Sequence, residues 1–206
     1  YANEGPFNVR LTVTSSHSCV SDSLKLFNTI YPQPKLTATV VTEKCLGDSV
    51  KLVLRINNPS GQKIKSYQVS WGTEASLTGA ASSPQDSIVL YHVFAGTGTH
   101  SITASVYGDN PGGCLSDTIT QTIYINALPV AAFGLAATSC VNNQVAYLDQ
   151  STSADGAIVS WNWNLGNGNT SVIQNPSTLY PNVGTVPVTL SVRSAKGCIS
   201  PTLTRQ

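Results

Sequence analysis

Tyr180-Pro-Asn-Val-Gly184-Thr-Val-Pro-Val188-Thr-Leu-Ser-Val192 is the stretch from which the fold can be read. An aromatic residue stands four before a glycine, and apolar residues then take alternate places. That period of two belongs to a half-buried strand. The pattern occurs twice more, as Phe94-Ala-Gly-Thr-Gly98-Thr-His-Ser-Ile102-Thr-Ala-Ser-Val106 and as Tyr1-Ala-Asn-Glu-Gly5-Pro-Phe-Asn-Val9-Arg-Leu-Thr-Val13. An internal repeat of this kind is the first thing to establish, because it sets the architecture.

The neighbouring segments repeat in the same order. Cys19-Val-Ser-Asp-Ser23 corresponds to Cys114-Leu-Ser-Asp-Thr118 and to Cys198-Ile-Ser-Pro-Thr202, and a proline follows the first two at equal distance, Pro34 and Pro129. Cys45-Leu-Gly-Asp-Ser-Val50 aligns with Cys140-Val-Asn-Asn-Gln-Val145. Ile64 to Gly72 aligns with Ile158 to Gly166. The stretch from Gly72 to Phe94 is a longer connection than its counterpart from Gly166 to Tyr180. The register implies three pieces: residues 1–34, the last strands of one unit; 35–128, a complete unit; 129–206, a unit without its final strand. Half a sandwich cannot bury its apolar face alone. The register therefore implies a natural chain that continues at both ends, or a second chain that completes the sandwich.

Composition narrows the function classes. Eleven Lys and Arg against ten Asp and Glu give a net charge of +1, and only 10% of residues are charged. No basic stripe is available to neutralise phosphates, so nucleic acid is not an expected partner. Residues 118–148 carry no charge, but Asn126, Pro129, Asn142 and Asn143 interrupt them. No run of about 20 apolar residues exists to span a membrane. Five cysteines without a C-x-x-C pair argue for an oxidising, extracellular setting rather than for zinc.

The last unit resembles the PKD (polycystic kidney disease) domain family. The family's pattern W-x-F-G-D-G, then N-P, then Y-x-x-x-G-x-Y-x-V-x-L-x-V reads here as Trp163-Asn-Leu165-Gly166-Asn167-Gly168, then Asn175-Pro176, then Tyr180 onward. The middle unit is more divergent, with Trp71-Gly72-Thr73 at the glycine turn. The resemblance implies an all-β chain of tandem immunoglobulin-like sandwiches. The cysteine placement and the G-C-x-S ending are similar to PKD repeats in giant surface proteins of gliding bacteria, exported by type IX secretion. Read as residues alone, Trp161, Trp163 and Leu165 share one strand face. Gly166 and Gly168 flank Asn167 in a tight turn. Gly184 lets the chain turn after Tyr180, whose hydroxyl can anchor that corner.

No catalytic constellation emerges from His17, His92 and His100, and no enzyme activity, cofactor or metal is expected. Trp161 and Trp163 are candidates to stack on a sugar, against the plainer reading that they fill the core. Asp149, Asp155 and Asn167 are weak calcium candidates. Calcium prefers several carboxylates, and Asp155-Gly156 reads as a plain turn. Four of the seven Asp precede Ser or Thr and an apolar residue, which marks Ser23, Ser49, Ser87 and Thr118 as candidate O-glycosylation sites, by resemblance to the acceptor pattern of the same bacteria. The alternative is that Asp-Ser simply opens strands.

The cysteines pose a geometric question. Pairing within units would join Cys45 to Cys114 and Cys140 to Cys198. On an immunoglobulin-like sandwich, Cys45 and Cys140 precede the second strand, at one pole. Cys114 and Cys198 follow the penultimate strand, at the other. An eight-residue strand spans roughly 26 Å, whereas bridged cysteines need Cα atoms about 4.4–6.8 Å apart. In a head-to-tail stack Cys45 instead meets Cys198, with partners for Cys19, Cys114 and Cys140 in other repeats. The functional expectation is a rod-like spacer or stalk of a cell-surface adhesin or motility filament. Its expected partners are neighbouring repeats of the same or an identical chain, with a surface polysaccharide as a further candidate. The alternatives are an accessory region of a secreted hydrolase and a self-polymerising filament completed by strand exchange.

Overall fold

Alternating β-branched and polar residues give this chain strands and, among the described residues, no helix. The computed structural model describes residues 5–56, 61–135 and 140–206. The aromatic start of the first repeat copy, Tyr1, lies outside them. The strands are β1 (Gly5–Thr14), β2 (Val20–Ile30), β3 (Leu36–Thr39), β4 (Glu43–Cys45), β5 (Val50–Ile56), β6 (Ile64–Ser70), β7 (Ser76–Gln85), β8 (Ser87–His92) and β9 (Gly98–Gly108). They continue with β10 (Ile119–Asn126), β11 (Phe133–Leu135), β12 (Gln144–Asp149), β13 (Ile158–Asn164), β14 (Thr170–Ser171), β15 (Ser177–Leu179), β16 (Val188–Ser194) and β17 (Leu203–Arg205).

Among the described residues five sheets result, ordered β1-β2, β3-β5-β8, β4-β10-β9-β6-β7, β11-β12-β15 and β14-β13-β16-β17. Facing antiparallel sheets of this kind make β-sandwiches. The period of two is visible in burial: Val50, Leu52 and Leu54 on β5, and Ile102, Ala104 and Val106 on β9, turn inward. The long connection after Gly72 is not a bare loop. It holds β7 and β8, and β7 pairs with β6 as an edge strand. Its residues, Ser-Leu-Thr-Gly-Ala-Ala-Ser, are too small and too weakly alternating to announce a strand.

By its internal contacts the chain divides into two compact units. One takes residues up to Val40, Lys51–Tyr91 and His100–Thr122; the other takes Val41–Val50, His92–Thr99 and Ile123–Gln206. In the second unit Phe133, Val145, Tyr147, Trp163, Leu165, Val188, Leu190 and Val192 form one core. Phe133 meets Trp163 edge to face at 5.1 Å and Tyr147 at 5.9 Å. Such pairs add about 0.5–1.5 kcal/mol beyond area burial. The buried Trp163 indole donates to Ile173 O at 3.1 Å, so no polar group is stranded there.

The first hairpin differs from its copies. Val9, Leu11 and Val13 on β1 are 39%, 62% and 55% exposed, while Ile102, Ala104, Val106, Val188, Leu190 and Val192 at the aligned places are at most 4% exposed. The ladder differs as well. β16 pairs Leu190 with Leu203, but β1 pairs Leu11 with Ser23, one residue away from the aligned Leu24. A slip of one residue moves side chains to the opposite face. Leu24 therefore shares a face with Arg10 rather than with Leu11. Among the described residues no second sheet covers β1 and β2, so burial exerts no hold on the register.

Candidate functional site

Two small structural devices carry most of the polar organisation in the second unit: a covalent clasp and an aromatic–glycine corner. The clasp starts from β4. This three-residue strand runs parallel to β10, pairing Tyr124 with Glu43, Ile125 with Lys44 and Asn126 with Cys45. Tyr124 N–H donates to Thr42 O and Leu46 N–H to Asn126 O, both at 2.9 Å. The Asn126 side chain adds Nδ2–H to Lys44 O at 3.3 Å. Just after Cys45 the chain turns on Gly47, with φ +89°. Asp48 closes that turn: its Oδ2 accepts Cys45 N–H at 3.2 Å and its own N–H reaches Cys45 O at 3.0 Å. A short aspartate whose carboxylate accepts a backbone N–H a few residues away is a turn former. The strand-opening reading of Asp48-Ser49 thus has a physical basis.

Opposite lies the hairpin after β16. Ser194 N–H donates to Cys198 O at 2.9 Å, Gly197 sits at φ +86°, and Ser200 Oγ accepts Val192 N–H at 3.0 Å. Cys45 and Cys198 form a disulfide with Cα atoms 5.5 Å apart. Cys198 is only 1% exposed. Two contacts that the sequence did not suggest frame the bond. Lys196 Nζ meets Glu43 at 3.0 and 3.1 Å. Both groups are nearly half exposed, so the pair contributes below about 1 kcal/mol. Asp155 accepts from Tyr124 Oη at 3.0 Å and from Ala127 N–H at 2.6 Å. This hydrogen bond, then the carboxylate's charge, pushes the Tyr124 hydroxyl above its ordinary pKa. Asp155-Gly156 is therefore a turn that also braces the end of β10, a role spread over about thirty residues and invisible in local pattern.

The corner is built on Tyr180. Its hydroxyl donates to Leu165 O at 2.5 Å and lies 2.7 Å from Tyr147 Oη. Burial, and then the Tyr180 hydrogen bond, pushes the Tyr147 hydroxyl up. Gly166, at φ +76°, has no room for a side chain: a Cβ would stand 2.5 Å from Pro187 O. Gly168 and Gly184 also sit at positive φ, with open space around them. Asn167 uses its amide in both senses. Nδ2 donates to Thr178 Oγ1 at 2.9 Å and Leu179 O at 3.0 Å, and Oδ1 accepts Asn169 N–H at 3.1 Å.

The other candidate residues are accounted for individually. Trp163 is buried in the core and offers no face to a sugar. Trp161 is half-buried and donates Nε1–H to Asp149 Oδ2 at 2.7 Å. Burial alone would raise the Asp149 carboxyl. Hydrogen bonds from Ser151 (side chain and backbone), Trp161 and Gln174 together hold it below the usual carboxylate range. Asp149, Asp155 and Asn167 thus serve separate hydrogen-bond sets, and among the described residues no cluster of three metal-ligating side chains occurs. Ser23, Ser49 and Thr118 are exposed and Ser87 is half-buried. Cys19 and Cys140 are exposed thiols, and Cys114 is a half-buried one. Among the described residues no helix is long and apolar enough to cross a membrane.

This architecture is that of the immunoglobulin-like β-sandwiches. Residues 126–206 match the PKD domain family. Among solved structures, the PKD1 domain of Vibrio anguillarum Epp is 36% identical, covering 39% of this chain and 90% of that one, with a TM-score of 0.35. The PKD1 domain from Vibrio cholerae metalloprotease PrtV is 35% identical, covering 38% and 94%, with a TM-score of 0.33. A PKD domain of an M14-like peptidase from a Thermoplasmatales archaeon is 17% identical, covering 46% and 96%, with a TM-score of 0.39. Family and disulfide together point to an extracellular protein.

Proposed function

We propose that this segment is a non-catalytic, rod-like spacer in a cell-surface adhesin or motility-type filament, in which disulfides fasten each PKD-like repeat to the next. The reading takes residues 35–128 and 129–206 as successive repeats and 1–34 as the last strands of a preceding one. The observation that carries it is the Cys45–Cys198 bridge, whose two cysteines fall in different repeats of that sequence register and within the second compact unit. A spacer must resist bending and extension, and a covalent tie between repeats serves that need without any ligand. The exposed Ser23, Ser49 and Thr118 and the half-buried Ser87 stand as glycan acceptors on this surface. Peptides spanning those positions, released from native material, should exceed their unmodified masses by whole sugar units.

Exchange within the native surface protein tests the proposal. Replacing this segment by unrelated β-sandwich repeats of equal length should leave surface attachment or movement intact. Loss of attachment with the substitute correctly exported would mean that the segment itself recognises something, and would end the spacer reading. A second reading, an accessory region of a secreted hydrolase, is favoured by the peptidase context in two of the solved PKD structures. Under it, the swap would lower turnover of an attached catalytic domain on bulky substrate while leaving cell attachment unaffected.

A further inference from the structure

Three hairpins in this chain share one construction. Ser15 N–H donates to Cys19 O at 2.8 Å, Gly108 N–H to Cys114 O at 3.0 Å, and Ser194 N–H to Cys198 O at 2.9 Å. The residue before each cysteine has positive φ: Ser18 at 61°, Gly113 at 58° and Gly197 at 86°. Two residues beyond, Ser116 and Ser200 each accept a strand N–H through Oγ at 3.0 Å, from Val106 and Val192. The second and third hairpins are therefore one device, with two more residues in the second, and the first shares its cysteine-closed turn. Only the third has its cysteine in a disulfide.

The bonded copy shows what the device receives. Its partner is the end of a short strand, β4, lying parallel to β10 with Cys45 opposite Asn126. Asn126 stands twelve residues after Cys114, and twelve residues after Cys19 stands Tyr31, just past β2. The thiol of Cys114 lies 3.8 Å from Tyr31 O. The second hairpin thus holds its sulfur against the end of β2, where a strand docked as β4 docks on β10 would bring a cysteine opposite Tyr31. Among the described residues β2 pairs with β1 alone, leaving the edge that on β10 is taken by β4. Asn110, in the same hairpin, is 8% exposed; its Oδ1 accepts Cys114 N–H at 3.3 Å, and its Nδ2 has no acceptor. In the bonded copy a side-chain amide donates to the docked strand's Lys44 O.

We propose that Cys114 is the receiving half of a second inter-repeat disulfide, its partner a cysteine at the end of a β4-like strand of another PKD-like repeat lying parallel to β2. The inference rests on the spacer reading above and extends it from a single clasp to a ladder with one rung per repeat. Forming the rung removes two protons and two electrons from two thiols. A low-molecular-weight disulfide such as oxidised glutathione takes both and leaves as two thiols.

The test uses the oxidised chain and a synthetic peptide of residues 36–48 whose cysteine is a mixed disulfide with thionitrobenzoate. Attack by a protein thiolate joins protein to peptide and releases coloured thionitrobenzoate, and peptide mapping identifies which cysteine reacted. Docking along β2 should make transfer to Cys114 about tenfold faster than to Cys19 or Cys140, through raised effective concentration. Glutathione disulfide should follow exposure and prefer Cys19 and Cys140. Peptide transfer that is no faster at Cys114 than at the exposed thiols overturns the assignment. Absence of Cys45–Cys198 from the map of the starting protein would instead remove the clasp, and with it the spacer reading.

Discussion

Replacing Asn167 by Asp brings this chain closer to the usual aspartate of the PKD turn, and the structure says that it destabilises the fold. The Asn167 amide donates to Thr178 Oγ1 and Leu179 O, and only its Oδ1 accepts. An ionised carboxylate of the same shape keeps the Asn169 contact and can take a rotated Thr178 hydroxyl. It cannot donate to Leu179 O, which it would face with like partial charge. One net hydrogen bond is worth about 0.5–1.5 kcal/mol, and an acceptor left facing an acceptor costs about 1–3 kcal/mol. With Thr178 rescued, the net loss is about 2 kcal/mol at neutral pH. For a repeat of this size each kcal/mol shifts Tm by roughly 4–8 °C. Scanning calorimetry of Asn167→Asp with the disulfide intact should therefore show the second unit melting about 8–16 °C lower. Below about pH 4 the new carboxyl protonates and regains a donor, so the gap to the parent should narrow. An Asn167→Asp chain as stable as the parent at pH 7, or more so, would refute the reasoning.

Other outcomes follow from the same contacts. Gly166→Ala places a Cβ 2.5 Å from Pro187 O at φ +76°, so it should cost more than about 2 kcal/mol in denaturant titration, whereas Gly168→Ala, with open space, should cost less. The Asp149 carboxyl is held below its unfolded value. Its contribution is thus present above about pH 4 and is lost as pH falls through the folded value. Asp149→Asn, which can still accept from Trp161, should flatten the acid limb of the stability profile. Tyr180→Phe removes the donor to Leu165 O, a carbonyl of a buried core residue. It should lower stability by about 1–3 kcal/mol without loss of β signal in the far ultraviolet.

Much of this was legible in residue order because two strong rules were in play. Alternation fixed the inward faces of β9 and β16, and strand length separated the two poles enough to set Cys45 against Cys198. Gly166 and Tyr180 announced their corner through residue types that few other local structures require. The rest was written in contacts that no local pattern carries. Asp155 braces Tyr124 and Ala127 from about thirty residues away, and Lys196 reaches Glu43 across 153 residues. β7 is an edge strand of small residues with no periodicity to read. The register of β1 on β2 departs from its copies because register depends on which face is buried, and among the described residues neither face is covered.

The most direct test of the central claim is to stretch single molecules from their two ends. Cys45 and Cys198 are 153 residues apart, so their bridge withholds about 550 Å of extended chain at roughly 3.6 Å per residue. The remaining residues of the 206 can release only about 190 Å. A mechanical spacer fastened at this clasp should yield no more than that shorter length in non-reducing buffer, however far the sandwiches unfold. The withheld 550 Å should appear only after a reductant is added. Release of the full length without reductant would show that the clasp carries no force, and would contradict the account.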